Sequence, residues 1–505
     1  MNNMNKKQFI GLILACIAVI AEIVLMCILR NSQLLPGKFL LLIAFVLIAV
    51  TAGGIFLALK AKKLWLGGDV LLCFLAVIGI LMSIFVQMGV DALRDGVFVK
   101  LPKDQDLMCI LVDKDNPAKT LEDIRNYTVG IVEDAEPEET EAFVKVLREQ
   151  HGFAGEIKYY PSQDQLFTTV METTEIQAII LNPVYLDPLS ELMEVDLYRE
   201  LRDIYYLPID QLTIETEPST EPPTEPPTEP PTEPAKPDEP FAIYITGVDG
   251  ENEELGDRNS DVNIIVVVNP KEKQILLLST PRDYYIQLPI NGKLQPDKLT
   301  HAGTYGVQKS IGALETLYDI DISYYFKVNF SGFKNIIDAL GGIRVYSDRA
   351  LTYDVPGLDI QKGWNNLNGE RALAFARERM RVPGGDEGRG KNQMKIITAV
   401  IQKAMSPALL MNYTAVLDSV KGSFATDMSY DLLANLVRYT LDTGMDWEVI
   451  SHSVSGTNTK RWLYTLRNTK WAVNDCMLPN EKQVAEASKL LQDMLAGKRV
   501  TAPKK

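Results

Sequence analysis

The sequence predicts an α/β protein built in parts: three N-terminal transmembrane helices, a small α/β lobe, a Pro/Glu/Thr linker, and an α/β/α sandwich with a mixed sheet. Three observations predict it. Long apolar runs stand in series at the start of the chain, two later stretches alternate strand-like and helix-like patterns, and a Thr-Glu-Pro-Pro repeat separates those stretches. A chain of 505 residues has room for more than one domain. The composition shifts place an anchor over 1–100, the lobe over 101–213, the linker over 214–240, the chemistry-bearing domain over 241–410, and a C-terminal part of the same module over 411–505.

The apolar runs are Phe9–Leu29, Phe39–Leu59 and Asp69–Val90. Each is long enough to cross a hydrocarbon core of roughly 30 Å as a helix. A cleaved signal peptide has one short run and a small-residue cleavage site, which this series does not fit. Lys6 and Lys7 precede the first run, and Lys60, Lys62 and Lys63 fill the second short loop, against Arg30 and Lys38 in the first. Basic loops stay inside, so everything after residue 90 is expected on the outer side of a cell membrane. Glu22 lies within the first run, where a carboxyl is costly, and reads as a helix-packing group.

In the lobe, Leu107–Val112, Thr128–Val132, Glu156–Tyr160 and Gln177–Leu181 read as strands. Thr120–Asn126, Glu138–Gln150 and Gln163–Glu172 read as helices between them. This alternation predicts a parallel-type sheet covered by helices. The stretches Pro117–Val132 and Ile176–Pro183 resemble one lobe of the type 2 periplasmic solute-binding proteins. Only one lobe's length is present, which favours a spacing or interaction role over ligand sensing.

Thr216–Pro240 repeats Thr-Glu-Pro-Pro. Proline fixes φ and removes donors, so the segment reads as a polyproline II spacer lifting the next domain off the membrane. Its glutamates contribute to a formal net charge of −15, a balance that excludes nucleic acid as the main partner. No C-x-x-C spacing occurs among the five cysteines, so neither a zinc site nor a disulfide framework is expected. Three histidines, no H-E-x-x-H and no nucleophile elbow argue against zinc and triad hydrolases.

From Phe241 the pattern becomes chemically informative. Strands are expected at Phe241–Thr246, Asn263–Val268, Gln274–Ser279 and Tyr324–Val328, and helices at Gly306–Tyr318, Ser331–Leu340 and from Asn368 toward Arg379. Polar residues gather where strands end: Asp249 after one, Asp261 before the next, Arg282 and Asp283 after a third. Carboxylates are hard oxygen ligands suited to Mg²⁺ bound with phosphate oxygens. Arginine forks grip phosphate bidentately, and Arg282, Arg377, Arg379 and Arg389 supply several. Arg377 and Arg379 are two apart and cannot share one helical face, so the helix must stop near them if both serve one site. Arg389 and Gln393 are four apart, on one face of a following helix. The apolar stretch Ala399–Met411 reads as ordinary core, or as the wall of a lipid groove.

The run FAIYITGVDGENEELGDRNSDVNIIVVVNPKEKQILLLSTPRDYYIQLP resembles the opening of the LytR-CpsA-Psr domain. DKLTHAGTYG, YYFKVNFSGFKNIIDALGGIRVYS, KGWNNLNGERALAFARERM and GDEGRGKNQ follow in that family's order. The resemblance implies a membrane-bound phosphotransferase that moves a glycopolymer, such as teichoic acid or capsule, from a polyprenyl-pyrophosphate carrier to peptidoglycan. It implies Mg²⁺ held through Asp249 and Asp261. Arg282, Asp283, Arg377 and Arg379 fall at catalytic positions, and Arg258, Lys298, Arg389 and Gln393 at substrate-binding ones. The chain departs from the family at Arg258-Asn259-Ser260-Asp261-Val262, where the common Arg-Ser-Asp-Thr has its arginine displaced by one and its threonine replaced. Lys391-Asn392 stands where Glu-Arg or Arg-Gln is common. Rival readings are a pyrophosphatase that uses water as acceptor, and a membrane-bound sensor that uses the solute-binding-like lobe.

Overall fold

The computed structural model describes residues 6–31, 37–60, 64–95, 107–212, 238–248, 256–355, 357–404, 424–429 and 447–502, with residues 432, 435, 436 and 439. Helices α1 (Lys6–Asn31), α2 (Gly37–Lys60) and α3 (Trp65–Asp95) come first. All three are long and apolar enough to cross a membrane. Small residues let them approach closely: a Cβ on Gly68 would lie 2.3 Å from the backbone nitrogen of Ala58. Glu22 is buried between helices and accepts a hydrogen bond of 2.5 Å from the Thr51 hydroxyl of α2. Leu41, Leu42 and Phe45 point outward, as lipid-facing side chains do.

The lobe is a five-stranded sheet, β1 (Leu107–Asp113), β2 (Val129–Val132), β3 (Ile157–Tyr160), β4 (Ala178–Leu181) and β5 (Leu201–Pro208), in the order β3-β2-β4-β1-β5. Helices α4 (Pro137–His151), α5 (Gln163–Glu172), α6 (Leu186–Met193) and α7 (Leu197–Glu200) connect its strands. β2, β3 and β4 are parallel, but β1 runs against β4 and β5. The expected parallel-type sheet is therefore mixed. Thr120–Asn126 forms turns instead of a helix. The Asp123 carboxylate accepts from the backbone of Lys119 and Thr120, and from the Thr120 hydroxyl, offering the backbone a local alternative.

The larger unit is a six-stranded sheet with the order β14-β11-β6-β7-β8-β15. Its strands are β6 (Phe241–Val248), β7 (Ser260–Asn269), β8 (Gln274–Ser279), β11 (Tyr324–Asn329), β14 (Phe424–Thr426) and β15 (Glu448–Ser453). β11 is parallel to β6 and β15 to β8, while β6-β7-β8 is antiparallel. The expected mixed α/β/α sandwich is what forms. One face packs against α9 (Val307–Tyr318) and α13 (Glu481–Leu495) through Tyr244, Ile265, Leu276, Leu314 and Leu491. The other faces α10 (Phe330–Ala339), α11 (Gly369–Arg377) and α12 (Asp386–Ala404).

Three antiparallel ribbons were not foreseen from the sequence. β9 (Tyr285–Ile290) and β10 (Lys293–Lys298) turn at Asn291-Gly292, both at positive φ, and lead into the short α8 (Leu299–Ala302). β12 (Ile343–Ser347) pairs with β13 (Gly363–Leu367), and β16 (Gly456–Trp462) with β17 (Val473–Pro479). Among the described residues of 411–505, β15, the β16–β17 ribbon and α13 follow β14. Residues 405–423 and most of 430–446 lie outside the described residues, as does most of the Pro/Glu/Thr segment.

The lobe and the larger unit share one hydrophobic cluster. Leu166, Phe167 and Leu189 of the lobe belong to the same core as Leu299, Ala302 and Tyr305. The Gln163 N–H donates to the Asn468 carbonyl at 2.9 Å, and Arg467 pairs with Glu136 at 2.6 Å. The Pro/Glu/Thr segment therefore joins two docked bodies. It does not hold them apart, which corrects the spacer reading at that end.

Candidate functional site

The site forms where β6, β7 and β8 meet α11, α12 and the lobe. A β-bulge comes first. Gly247 pairs with Val262 and Val248 with Ser260, so Asp261 is the extra residue of β7. Such a bulge re-aims side chains, and Asp261 and its neighbour Val262 both line the cavity described below. A buried polar knot fixes the bulge. The Tyr244 hydroxyl donates to Asn263 Oδ1 at 2.6 Å, and the Ser260 hydroxyl lies 2.8 Å from Tyr244 Oη and 2.6 Å from Thr246 Oγ1. Gly303 must be glycine here, because a Cβ would lie 2.4 Å from the Arg258 carbonyl.

Arg282 follows β8 on the turn opened by Pro281, and it is 9% exposed. Nη1 donates to Asp261 Oδ1 at 2.5 Å, and Nη2 donates to Glu191 Oε1 of α6 at 2.5 Å. Its Nε is buried and has no hydrogen-bond partner among the described residues. Burial alone would lower the guanidinium's pKa, but Asp261 and Glu191 outweigh that and hold it above its ordinary value. Burial would likewise raise the Glu191 carboxyl. The charges of Arg282 and Lys298 win, and it lies below the ordinary carboxylate range.

The helical residues arrive by the stop that the sequence required. α11 ends at Arg377, Glu378 is extended (φ −68°, ψ 113°), and Arg377 and Arg379 both line one cavity. Glu378 turns inward and accepts from the Arg381 N–H at 2.9 Å and from its guanidinium at 3.0 Å. Arg377 lies over the Phe330 ring at 4.4 Å. On α12, Arg389 and Gln393 share the face turned to the strand ends. That approach is close: a Cβ on Gly390 would lie 2.6 Å from Ser279 Oγ.

Seven of the ten candidate residues thus line a single cavity of ≈ 990 Å³: Arg258, Asp261, Arg282, Arg377, Arg379, Arg389 and Gln393. Asp283 and Lys298 do not line it. They pair with each other at 3.5 Å. Asp249 lies outside the described residues. Away from the arginines the cavity is apolar, running between the sheet (Ile243, Ile245, Val266, Phe326) and the helices (Phe333, Ile336, Leu373, Ile397, Val400, Ile401). Val400 and Ile401 belong to the stretch that read as core or groove wall.

The sequence reading missed the lobe's share. Asp187, Glu191, Glu194 and Tyr198 line the same cavity. Asp187 accepts from the Asn259 N–H and faces Arg258 at 4.0 Å, and Arg258 stacks on Tyr198 at 3.9 Å. No local motif marks these contacts, since Glu191 and Arg282 are 91 residues apart.

A polar, arginine-rich mouth on an apolar trough, in a unit that follows three helices long and apolar enough to cross a membrane, defines a class: an α/β/α sandwich with a two-part cavity, cationic at one end and apolar at the other. The profile of the LytR_cpsA_psr family matches residues 209–483, more than half of the chain. The chain belongs to the LytR-CpsA-Psr family. It is 36% identical over 195 residues to the polyisoprenyl-teichoic acid–peptidoglycan teichoic acid transferase TagU of Enterococcus faecalis, covering 38% of this chain and 63% of that protein. It is 36% identical over 199 residues to TagU of Bacillus anthracis, covering 39% and 64%. The chain thus spans just under two thirds of the length of these relatives. Among solved structures, Bacillus subtilis TagV aligns with a TM-score of 0.44 at 25% identity over 51% of this chain and 98% of that one. Bacillus subtilis TagU aligns with a TM-score of 0.39 at 28% identity over 52% and 100%.

Proposed function

We propose that this protein transfers a glycopolymer of the teichoic acid or capsule type from a polyprenyl-pyrophosphate carrier to peptidoglycan on the outer face of the membrane. The observation that carries this reading is the two-part cavity. Its arginines suit a diphosphate, and its apolar length suits a prenyl tail. The relatives' names, which describe teichoic acid transfer to peptidoglycan, support the same reading. The basic residues before α1 and after α2 support an outward-facing domain.

In this reading the acceptor hydroxyl oxygen forms a bond to the phosphorus that carries the polymer. The bond from that phosphorus to the bridging oxygen breaks, and polyprenyl phosphate leaves with the electron pair. Arg282, Arg377, Arg379 and Arg389 stabilise the charge on the transferring group by fixed electrostatics. Arg258 and Gln393 orient the diphosphate. The hydroxyl proton passes to Asp261, the carboxylate beside Arg282 at the cavity wall.

Mg²⁺ fits the donor set. Asp261 presents a hard carboxylate oxygen at the cavity wall, beside the arginines that suit a diphosphate. Mg²⁺ is commonly held by one or two carboxylates with substrate phosphates, so Asp261 with Asp249 would hold it. Bound there, it would neutralise diphosphate charge.

The test is full-length protein in nanodiscs with Mg²⁺, a synthetic lipid-linked sugar diphosphate and wall fragments. Wall-linked sugar and free polyprenyl phosphate are expected, with loss of both on Arg377→Ala and Arg379→Ala. Release of free sugar phosphate without any wall-linked product would make the protein a hydrolase and sink the proposal.

A further inference from the structure

The family match begins at residue 209, so α6 and its acidic residues precede it. Yet α6 forms a wall of the anion site. Glu191 holds Nη2 of Arg282, the arm next to the orphaned Nε. A guanidinium binds a phosphate or carboxylate through two adjacent N–H groups. On Arg282 that adjacent pair is Nε with Nη2. Glu191 fills half of it through a single oxygen, and the other half stays unmet.

Glu191 is therefore seated where a ligand oxygen would go, but less completely than a ligand would be. Its side chain is 42% exposed, so it has room to swing out to water. The backbone behind it is fixed. Leu186 and Leu189 of the same helix are buried in the core shared by the two units. The exchange is thus a side-chain event and does not require the lobe to undock.

We infer that Glu191 is a built-in competitor for the anion site, which raises the binding energy an anionic ligand must bring, so that a ligand with further contacts, such as a diphosphate, fills the site where a monophosphate does not. This rests on the anion-site reading proposed above. Any ligand oxygen that takes both arms of Arg282 must first displace the carboxylate. A monophosphate exchanges one anion for another at that arginine and gains little. A diphosphate brings a second phosphate within reach of Arg258 and Arg389, which offsets the loss. When a prenyl diphosphate is consumed, the prenyl monophosphate left behind keeps the cost of displacing Glu191 but loses the second phosphate's contacts. Glu191 then recaptures Arg282 and favours release of the spent carrier.

The test uses the full-length protein in detergent, with geranylgeranyl diphosphate and geranylgeranyl monophosphate as probes, measured by calorimetry with Mg²⁺. The unaltered protein should prefer the diphosphate by at least about tenfold. Glu191→Gln should tighten both probes by a similar factor, about tenfold, because both displace the same carboxylate. Glu191→Ala, which removes the hydrogen-bonding head altogether, should do the same. Amide exchange of 186–193 should stay slow on diphosphate binding, because the helix remains docked. If both variants leave both affinities unchanged or weaken them, while Arg282→Ala weakens both, the competitor role is overturned and the anion site stands. If Arg282→Ala changes neither probe, the anion-site reading falls, and the competitor role with it.

Discussion

Two arginines cross the seam between the lobe and the six-stranded unit, and they do so in opposite ways. Arg467 donates to Glu136 at 2.6 Å and to the Tyr464 carbonyl at 3.0 Å, and it stacks on the Tyr464 ring at 4.1 Å. The Tyr185 hydroxyl donates to the same Glu136 oxygen, Oε1, at 2.5 Å. Burial raises the Glu136 carboxyl, against the pull of Arg467. Arg282 is as deep but incomplete, with one nitrogen orphaned and one partner half exposed. A satisfied buried charge pair holds a structure together. An unsatisfied one at the wall of a cavity is a place for a ligand.

Four experiments break or sharpen this contrast. The largest effect is expected at the satisfied arginine. Arg467→Ala strands Glu136 in the seam and should cost about 3–5 kcal/mol, read as a lowered denaturation midpoint of the purified protein. A loss below about 1 kcal/mol would show that the seam is not a buried one. Arg282→Ala should instead leave the midpoint within about 1 kcal/mol while weakening diphosphate binding roughly 10- to 100-fold, the worth of a charge-assisted hydrogen bond of ~1.5–3 kcal/mol. Equal losses of stability at both positions would erase the distinction.

The apolar end is tested next. Val400→Trp fills the trough, and it should weaken a twenty-carbon prenyl diphosphate about tenfold while leaving inorganic pyrophosphate unchanged. Equal loss for both would place the tail elsewhere. The smallest effect concerns pH. Glu191 has its pKa depressed below the ordinary 4.5, so the stability it gains from Arg282 is complete above that value and is lost as pH falls through the lower folded-state value. The melting difference between the unaltered protein and Glu191→Gln should be constant above pH 4.5 and shrink below it. Given the exposure of Glu191, it should amount to less than about 1 kcal/mol.

Much of the larger unit was legible because its information is local. Ile275–Leu278 is an unbroken apolar run, fully buried within β8. The stop after Arg377 follows from spacing alone, since two residues apart cannot share a helical face. The bulge at Asp261 was not legible, because it depends on pairing across β6 and on a hydroxyl knot brought together from Tyr244, Thr246 and Ser260. Asp283 looked equivalent to Arg282 in sequence, but adjacent residues on a turn diverge, and it pairs with Lys298 outside the cavity. The lobe's carboxylates were least legible of all. α6 itself was not among the expected helices, and nothing in its local pattern names the arginine on the far side of the seam.

The docking of the lobe also fixes how far the reaction can take place from the bilayer. With the lobe bound to the sheet unit, the Pro/Glu/Thr stretch drops out of the path between membrane and site. What remains between Asp95 of α3 and Leu107 of β1 is residues 96–106. Eleven residues span at most about 40 Å when fully extended. On the function proposed above, that limit keeps the cavity near the headgroup layer, where a carrier rooted in the membrane would present its diphosphate.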